Sequence, residues 1–66
     1  MKIILNGEPH NHKGLGTLDS LLDEVGANKN HTALMLNGSI TPKEKWQQKE
    51  IHENDEIEML VFVGGG

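Results

Sequence analysis

Sixty-six residues make one small domain, residues 1–66, and so short a chain buries too little surface to enclose an elaborate active site. The absence of cysteine excludes disulfides, thiolate metal sites and thiol nucleophiles together. A formal net charge of −4, with the acids scattered, offers no basic stripe to a phosphate backbone, which excludes nucleic acid and favours a basic protein surface as partner.

The opening MKIILNG has three consecutive apolar residues after its lysine, too few for a signal-peptide core. No stretch approaches a membrane span, so the expected location is the cytoplasm, with no membrane anchor. Residues 2–6 alternate as a strand with Ile3 and Leu5 on one face, and Asn6-Gly7 marks a tight turn. The return segment EPHNHK carries Pro9 and no large apolar residue, which suits an exposed edge strand. Gly14 and Gly16 loosen the connection that follows. Gly14-Leu15-Gly16 lacks the remaining residues of a phosphate-binding loop and is read as a flexible link.

From Thr17 the period changes. Leu18, Leu21, Leu22 and Val25 take the spacing of a helix with one buried stripe, capped by Thr17, favoured by Asp19 in its first turn and stopped by Gly26. A polar loop over residues 27–31 leads to the strand TALMLNG, which runs into a second Asn-Gly pair at Asn37-Gly38; the face taken by Met35 is open. Thr41, Pro42 and Glu44 read as a capping box that starts a short helical turn carrying Trp46 as a packing residue. Asn54-Asp55 is a turn.

The run over residues 56–63 is the clearest strand in the chain. It sets Ile57, Met59, Val61 and Val63 on one face against Glu58, Leu60 and Phe62 on the other. With the first face in the core, the second is acidic at its start and apolar at its end. Leu60 and Phe62 are then either covered by a second layer or exposed as a docking surface with Ile4 beside them. Asp55, Glu56 and Glu58 read as a solvated face. His10 and His12 point the same way on a strand, but no local motif completes a four-ligand site, so no metal is expected and the histidines are read as exposed and idle. The order strand, strand, helix, strand, short helix, strand is an α+β pattern: a mixed sheet with one main helix packed on one face and a short second helix.

The chain closes on VFVGGG, three glycines directly after a strand. With its LNG turns, the TPKEKW segment, the acidic ENDEIEML approach and this Gly-Gly end, the sequence resembles the ThiS family of ubiquitin-like β-grasp sulfur carriers of thiamin biosynthesis, over essentially its whole length. Pro42, Lys43 and Trp46 match the middle of the family pattern. Asn54 stands where the family usually has Gly, and the third glycine leaves two registers open, with Gly66 or Gly65 as the functional end.

The resemblance implies that the carrier catalyses nothing itself. Its terminal glycine carboxylate is adenylated by an E1-like ThiF-type enzyme using ATP and magnesium, converted to a thiocarboxylate, and passes its sulfur to a ThiG-like thiazole synthase. Gly66 would carry the reacting carboxylate, Gly65 would precede it, and Gly64 would begin a flexible tail. No cofactor would be bound, a sulfur-donor protein would be needed, and the free carrier would be a monomer. Two other readings stand beside this one: a carrier like the small subunit of molybdopterin synthase, and a plain β-grasp interaction domain whose glycines are a frayed end.

Overall fold

Two Asn-Gly turns and a glycine-stopped helix set the path of the chain in the computed structural model, which describes residues 1–63. Strand β1 (Lys2–Leu5) turns through Asn6 and Gly7, at φ of 50° and 81°, and returns as β2 (Glu8–Asn11). Positive φ at both turn centres matches the twist of paired strands, and Asn and Gly reach it at little cost. Helix α1 (Leu18–Val25) follows, then β3 (Thr32–Leu36), the second turn at Asn37 and Gly38, β4 (Ser39–Thr41) and β5 (Glu56–Val61). Single turns of 3-10 helix at Lys29–His31 and Lys43–Lys45 complete the connections. No helix among the described residues is long and apolar enough to cross a membrane.

The strands form one mixed sheet in the order β2-β1-β5-β3-β4, with β2 at an edge as its sequence predicts. β5 runs parallel to β1 and antiparallel to β3. Leu5, Ile57 and Leu36 are in register across these three strands, so alternation brings Ile3, Leu34 and Ile57 to one face. There they meet Leu18, Leu21 and Leu22 of α1, with Trp46 and Ile51 closing the cluster. The helix is held at both ends. Thr17 and Ser20 exchange side-chain-to-backbone hydrogen bonds in a capping box, and Gly26, at φ 73°, turns its N–H back to the carbonyls of Leu22 and Asp23.

Four expectations are corrected. β4 is a strand that the sequence pattern does not show, because it is three residues long and its one large apolar side chain, Ile40, is 74% exposed. The capping box at Thr41 does not form: Thr41 is the buried last residue of β4, and Pro42 stands before the helical turn with no side-chain cap. Val25 lies at the exposed end of the helical stripe. On β5 the inward face holds only as far as Ile57, which is buried, and Met59, which packs against the core; Val61 and Val63 are exposed because the core cluster does not extend to them.

Trp46 is buried as expected, and its indole N–H donates to the Thr41 carbonyl at 2.9 Å. Trp46→Phe keeps most of the ring packing and leaves that carbonyl without its donor. The free energy of unfolding in a urea titration should fall by about 1–3 kcal/mol. An unchanged midpoint would show that the bond adds nothing net.

Candidate functional site

The end of β5 is where the fold hands the chain over to its glycines, and the two edges of that strand are held to different lengths. Toward β3 the pairing runs from Leu36↔Ile57 to Thr32↔Val61, and the Phe62 N–H still donates to the His31 carbonyl at 2.7 Å. Toward β1 the strand pairing stops at Leu5↔Ile57. One further contact continues that edge: the Asn6 side chain accepts from the Met59 N–H at 2.7 Å and donates to the Met59 carbonyl at 3.4 Å. Asn37 does similar work at the start of the strand. Its backbone N–H donates to the Glu56 carbonyl, and its side chain accepts from the Glu56 N–H and donates to the Asp55 carboxylate. Both turn asparagines therefore hold β5, a role that the Asn-Gly pairs do not announce.

Beyond Met59 the side chains lose cover. Leu60 is 50% exposed and Phe62 59% exposed. Leu60 stands opposite Ala33, on the sheet face away from α1, and Glu58 stands opposite Met35, which settles the face of that methionine. Ile4 shares this face but is half-buried opposite Glu56, four residues back along β5, or roughly 13 Å from Leu60 at the rise of a strand. The expectation of Ile4 beside Leu60 and Phe62 is thus corrected: β1 and β5 do pair, but at the other end of the strand. Gly64, Gly65 and Gly66 lie outside the described residues.

Two open surface grooves, one including Leu36, Ile40, Lys45 and Lys49 and the other Asp19, Lys29, Glu44 and Trp46, take no residue from β5. Both grooves therefore lie away from the exposed end of β5. Among the described residues no group of three His, Cys, Asp or Glu side chains is placed to hold a metal.

The histidines are not idle. His12 is buried, 3% exposed, and with His10 it converges on the carboxylate of Glu24 from α1, at 3.1 and 2.7 Å; the same carboxylate accepts the Lys13 N–H at 2.6 Å. The Gly16 N–H donates to His12 Nε2 at 3.0 Å, so the proton of a neutral ring belongs on Nδ1, facing Glu24. That tautomer cannot offer Nδ1 to a metal. Ser20 Oγ is 3.2 Å from Nε2, but its hydroxyl donates to the Thr17 carbonyl, so Ser20, His12 and Glu24 stitch loop to helix and do not form a nucleophilic triad. Gly14 is part of this packing: a Cβ there would come within 2.9 Å of the His12 ring, so close approach, and not looseness, calls for glycine. The sequence signal missed here is a Glu on the last turn of α1 facing an edge strand with two histidines in alternate positions.

A helix laid across one face of a mixed five-stranded sheet, in which the last strand runs parallel to the first, defines a ubiquitin-like β-grasp protein. Residues 3–66 match the model of the ThiS family, and the chain belongs to that family. It is 27% identical to the "Sulfur carrier protein ThiS" of Escherichia coli (strain K12), with full coverage of both chains. It is 35% identical over 66 residues to a "Thiazole synthase" of Paramagnetospirillum magneticum, spanning all of this chain and 20% of that relative's length. The crystal structure of the thiamine biosynthesis protein ThiS from Geobacter metallireducens superposes with a TM-score of 0.83 at 28% identity, each chain fully covered.

The Glu24 cluster makes a pH prediction. Burial works to raise the Glu24 carboxyl, but the hydrogen bonds from His10, the Lys13 N–H and His12 outweigh it and hold the group at about 2, below its ordinary 4.5. The folded state therefore binds fewer protons than the unfolded one between these values. Its stabilisation is complete above about 4.5 and is lost as pH falls toward about 2. Thermal melts should show wild type ahead of Glu24→Gln at neutral pH, with the gap closing through this window. A gap independent of pH would assign the stabilisation to packing alone.

Proposed function

We propose that this chain is a sulfur carrier of thiazole formation in thiamin biosynthesis, with Gly66 bearing the reacting carboxylate and Gly65 and Gly64 forming the approach to it. The observation that carries the reading is the end of β5: a central strand, anchored on both edges as far as Met59, whose exposed last residues run in sequence into three glycines. Family membership supports it, and so does the naming of the Escherichia coli relative. The Paramagnetospirillum magneticum relative, named as a thiazole synthase, contains a stretch that matches this whole chain, which supports a synthase as the sulfur acceptor.

A glycine carboxylate, with an ordinary pKa of about 3.3–3.7, is ionised and a poor electrophile at neutral pH, so it needs activation. An E1-like adenylating enzyme of the ThiF type transfers AMP from ATP and magnesium to the carboxylate, with pyrophosphate leaving. Hydrosulfide then forms a C–S bond at the acyl carbon as the C–O bond to AMP breaks and AMP leaves, giving the thiocarboxylate. Glycines leave the carbonyl unhindered. With no cysteine, the carrier takes its sulfur from another protein, and the activating enzyme and the synthase supply the catalysis. Leu60 and Phe62 form the apolar part of the docking surface, with Ile4 at the far end of the same sheet face.

Intact mass after incubation with ATP, magnesium, sulfide and the activating enzyme from the same genome tests this. Gain of an AMP group, or exchange of one oxygen for sulfur, on the last glycine is expected, and it also decides between Gly66 and Gly65. An unchanged mass with an enzyme shown to be active on its own carrier overturns the reading.

Phe62→Ala should leave the unfolding free energy within about 0.5 kcal/mol, as for a surface change, while weakening complex formation by about 2 kcal/mol in titration calorimetry. Loss of stability with unaltered binding would place Phe62 in the fold and not in the interface.

A further inference from the structure

We infer that Asn6 is a positioning residue for the chain end, a reading that rests on the proposed carrier function. Its backbone sits at φ 50° and turns the chain away into β2, so β1 has no further backbone groups to offer β5. Its side-chain amide replaces them. Oδ1 accepts from the Met59 N–H at 2.7 Å and Nδ2 donates to the Met59 carbonyl at 3.4 Å, the acceptor and donor that a continuing parallel strand would present from two of its residues. Asn does two things here that no other single residue combines: it takes the left-handed turn and it carries an amide. Glycine turns but pairs nothing, while aspartate can accept from the N–H but, when ionised, cannot donate.

The consequence is a fixed point on β5. The Ile57 carbonyl is taken by the Asn6 backbone N–H, and the Met59 N–H and carbonyl by the Asn6 side chain. The next groups on that edge belong to Val61, for which no strand partner lies on the β1 side among the described residues. Met59 is therefore the last anchor on this edge, two residues before the strand ends at Val61 and seven before Gly66. Without it, β5 is held from Met59 onward by β3 alone. The origin from which the glycines reach a partner's active site is then no longer set. Asn6 touches neither the reacting carboxylate nor any partner in this account; it acts through Met59.

Asn6→Gly keeps the turn, since glycine takes positive φ freely, and deletes only the amide. By hydrogen exchange followed residue by residue, the Met59 amide should exchange about tenfold faster than in wild type, the worth of about one hydrogen bond, while Leu21 and Leu22 in α1 stay unchanged. Asn6→Asp, which keeps the acceptor for the Met59 N–H, should recover most of that protection. In adenylation by the activating enzyme, Asn6→Gly should raise the KM for the carrier severalfold with kcat little altered, because the misplaced end is still chemically intact. Unchanged Met59 exchange in Asn6→Gly overturns the anchor. Faster exchange with an unchanged KM overturns its role in presenting the chain end. Should wild type itself resist adenylation by an active enzyme, the carrier reading falls, and the exchange measurement still decides whether Asn6 anchors the strand.

Discussion

Everything in this fold leans on the pairing of the last strand between the first and the third. β5 occupies the middle of the sheet, parallel to β1 on one side and antiparallel to β3 on the other, so the β1-β2 and β3-β4 hairpins join into one sheet only through it. A parallel neighbour cannot be supplied by a hairpin, and the chain must complete β1, α1 and β3 before β5 closes the gap. The residue that seals the core from this strand is Ile57, in register with Leu5 and Leu36; two positions on, Met59 marks the limit of the core. The strand is thus structural at its start and exposed at its end, with the change falling inside six residues.

A core of eight buried apolar side chains leaves little stability to spare, and the chain adds polar stitches where apolar area runs out. Asn6 and Asn37 hold β5 from its two sides, Glu24 ties the edge strand to α1 through His10, His12 and Lys13, and Trp46 hangs the second half of the chain from the Thr41 carbonyl. Each stitch satisfies groups that the backbone would otherwise leave open at a turn or a sheet edge, and no buried side-chain nitrogen or oxygen among the described residues lacks a partner. Apart from the Trp46 bond, which spans five residues, they lie between elements far apart in sequence and so act on the assembled sheet and not on any one element. The Ser20 and Thr17 cap is local as well.

What could be read from the sequence follows the same division. Local rules carry α1, from its Thr17 cap to its Gly26 stop, both Asn-Gly turns, the edge character of EPHNHK and the existence of β5. The positive φ of Asn54, 68°, agrees with asparagine standing in for the family's usual glycine. Local rules fail where a partner decides the outcome. Ser39–Thr41 is a strand because β3 pairs with it, and Thr41 ends in the sheet although its neighbours spell a helix cap. His12 is buried because α1 folds over it, which no alternation within EPHNHK reveals. Alternation also carried Val61 and Val63 inward on paper, since it knows the face of a residue but not how far the opposing layer extends. At the candidate site the sequence placed Leu60 and Phe62 on one face but left them either covered or exposed, which the extent of the second layer decides, while the placing of Ile4 depended on a parallel register that sequence alone does not give.

A chain end that leaves from the central strand differs physically from one that trails off an edge. The exit of an edge strand moves with every fluctuation of the edge, whereas β5 can shift only by breaking pairs with both neighbours at once. Its exit is therefore as well placed as the core itself up to Met59, and the remaining freedom is that of the few residues beyond. Under the carrier function proposed above, this would separate two needs that conflict: a rigid origin, which limits the volume that the end explores, and a slender, unhindered end, which the glycines supply in sequence. Under the same proposal, Leu60 and Phe62 lie just beyond Met59, between the doubly paired part of the strand and the glycines that follow in sequence, where a partner would grip them.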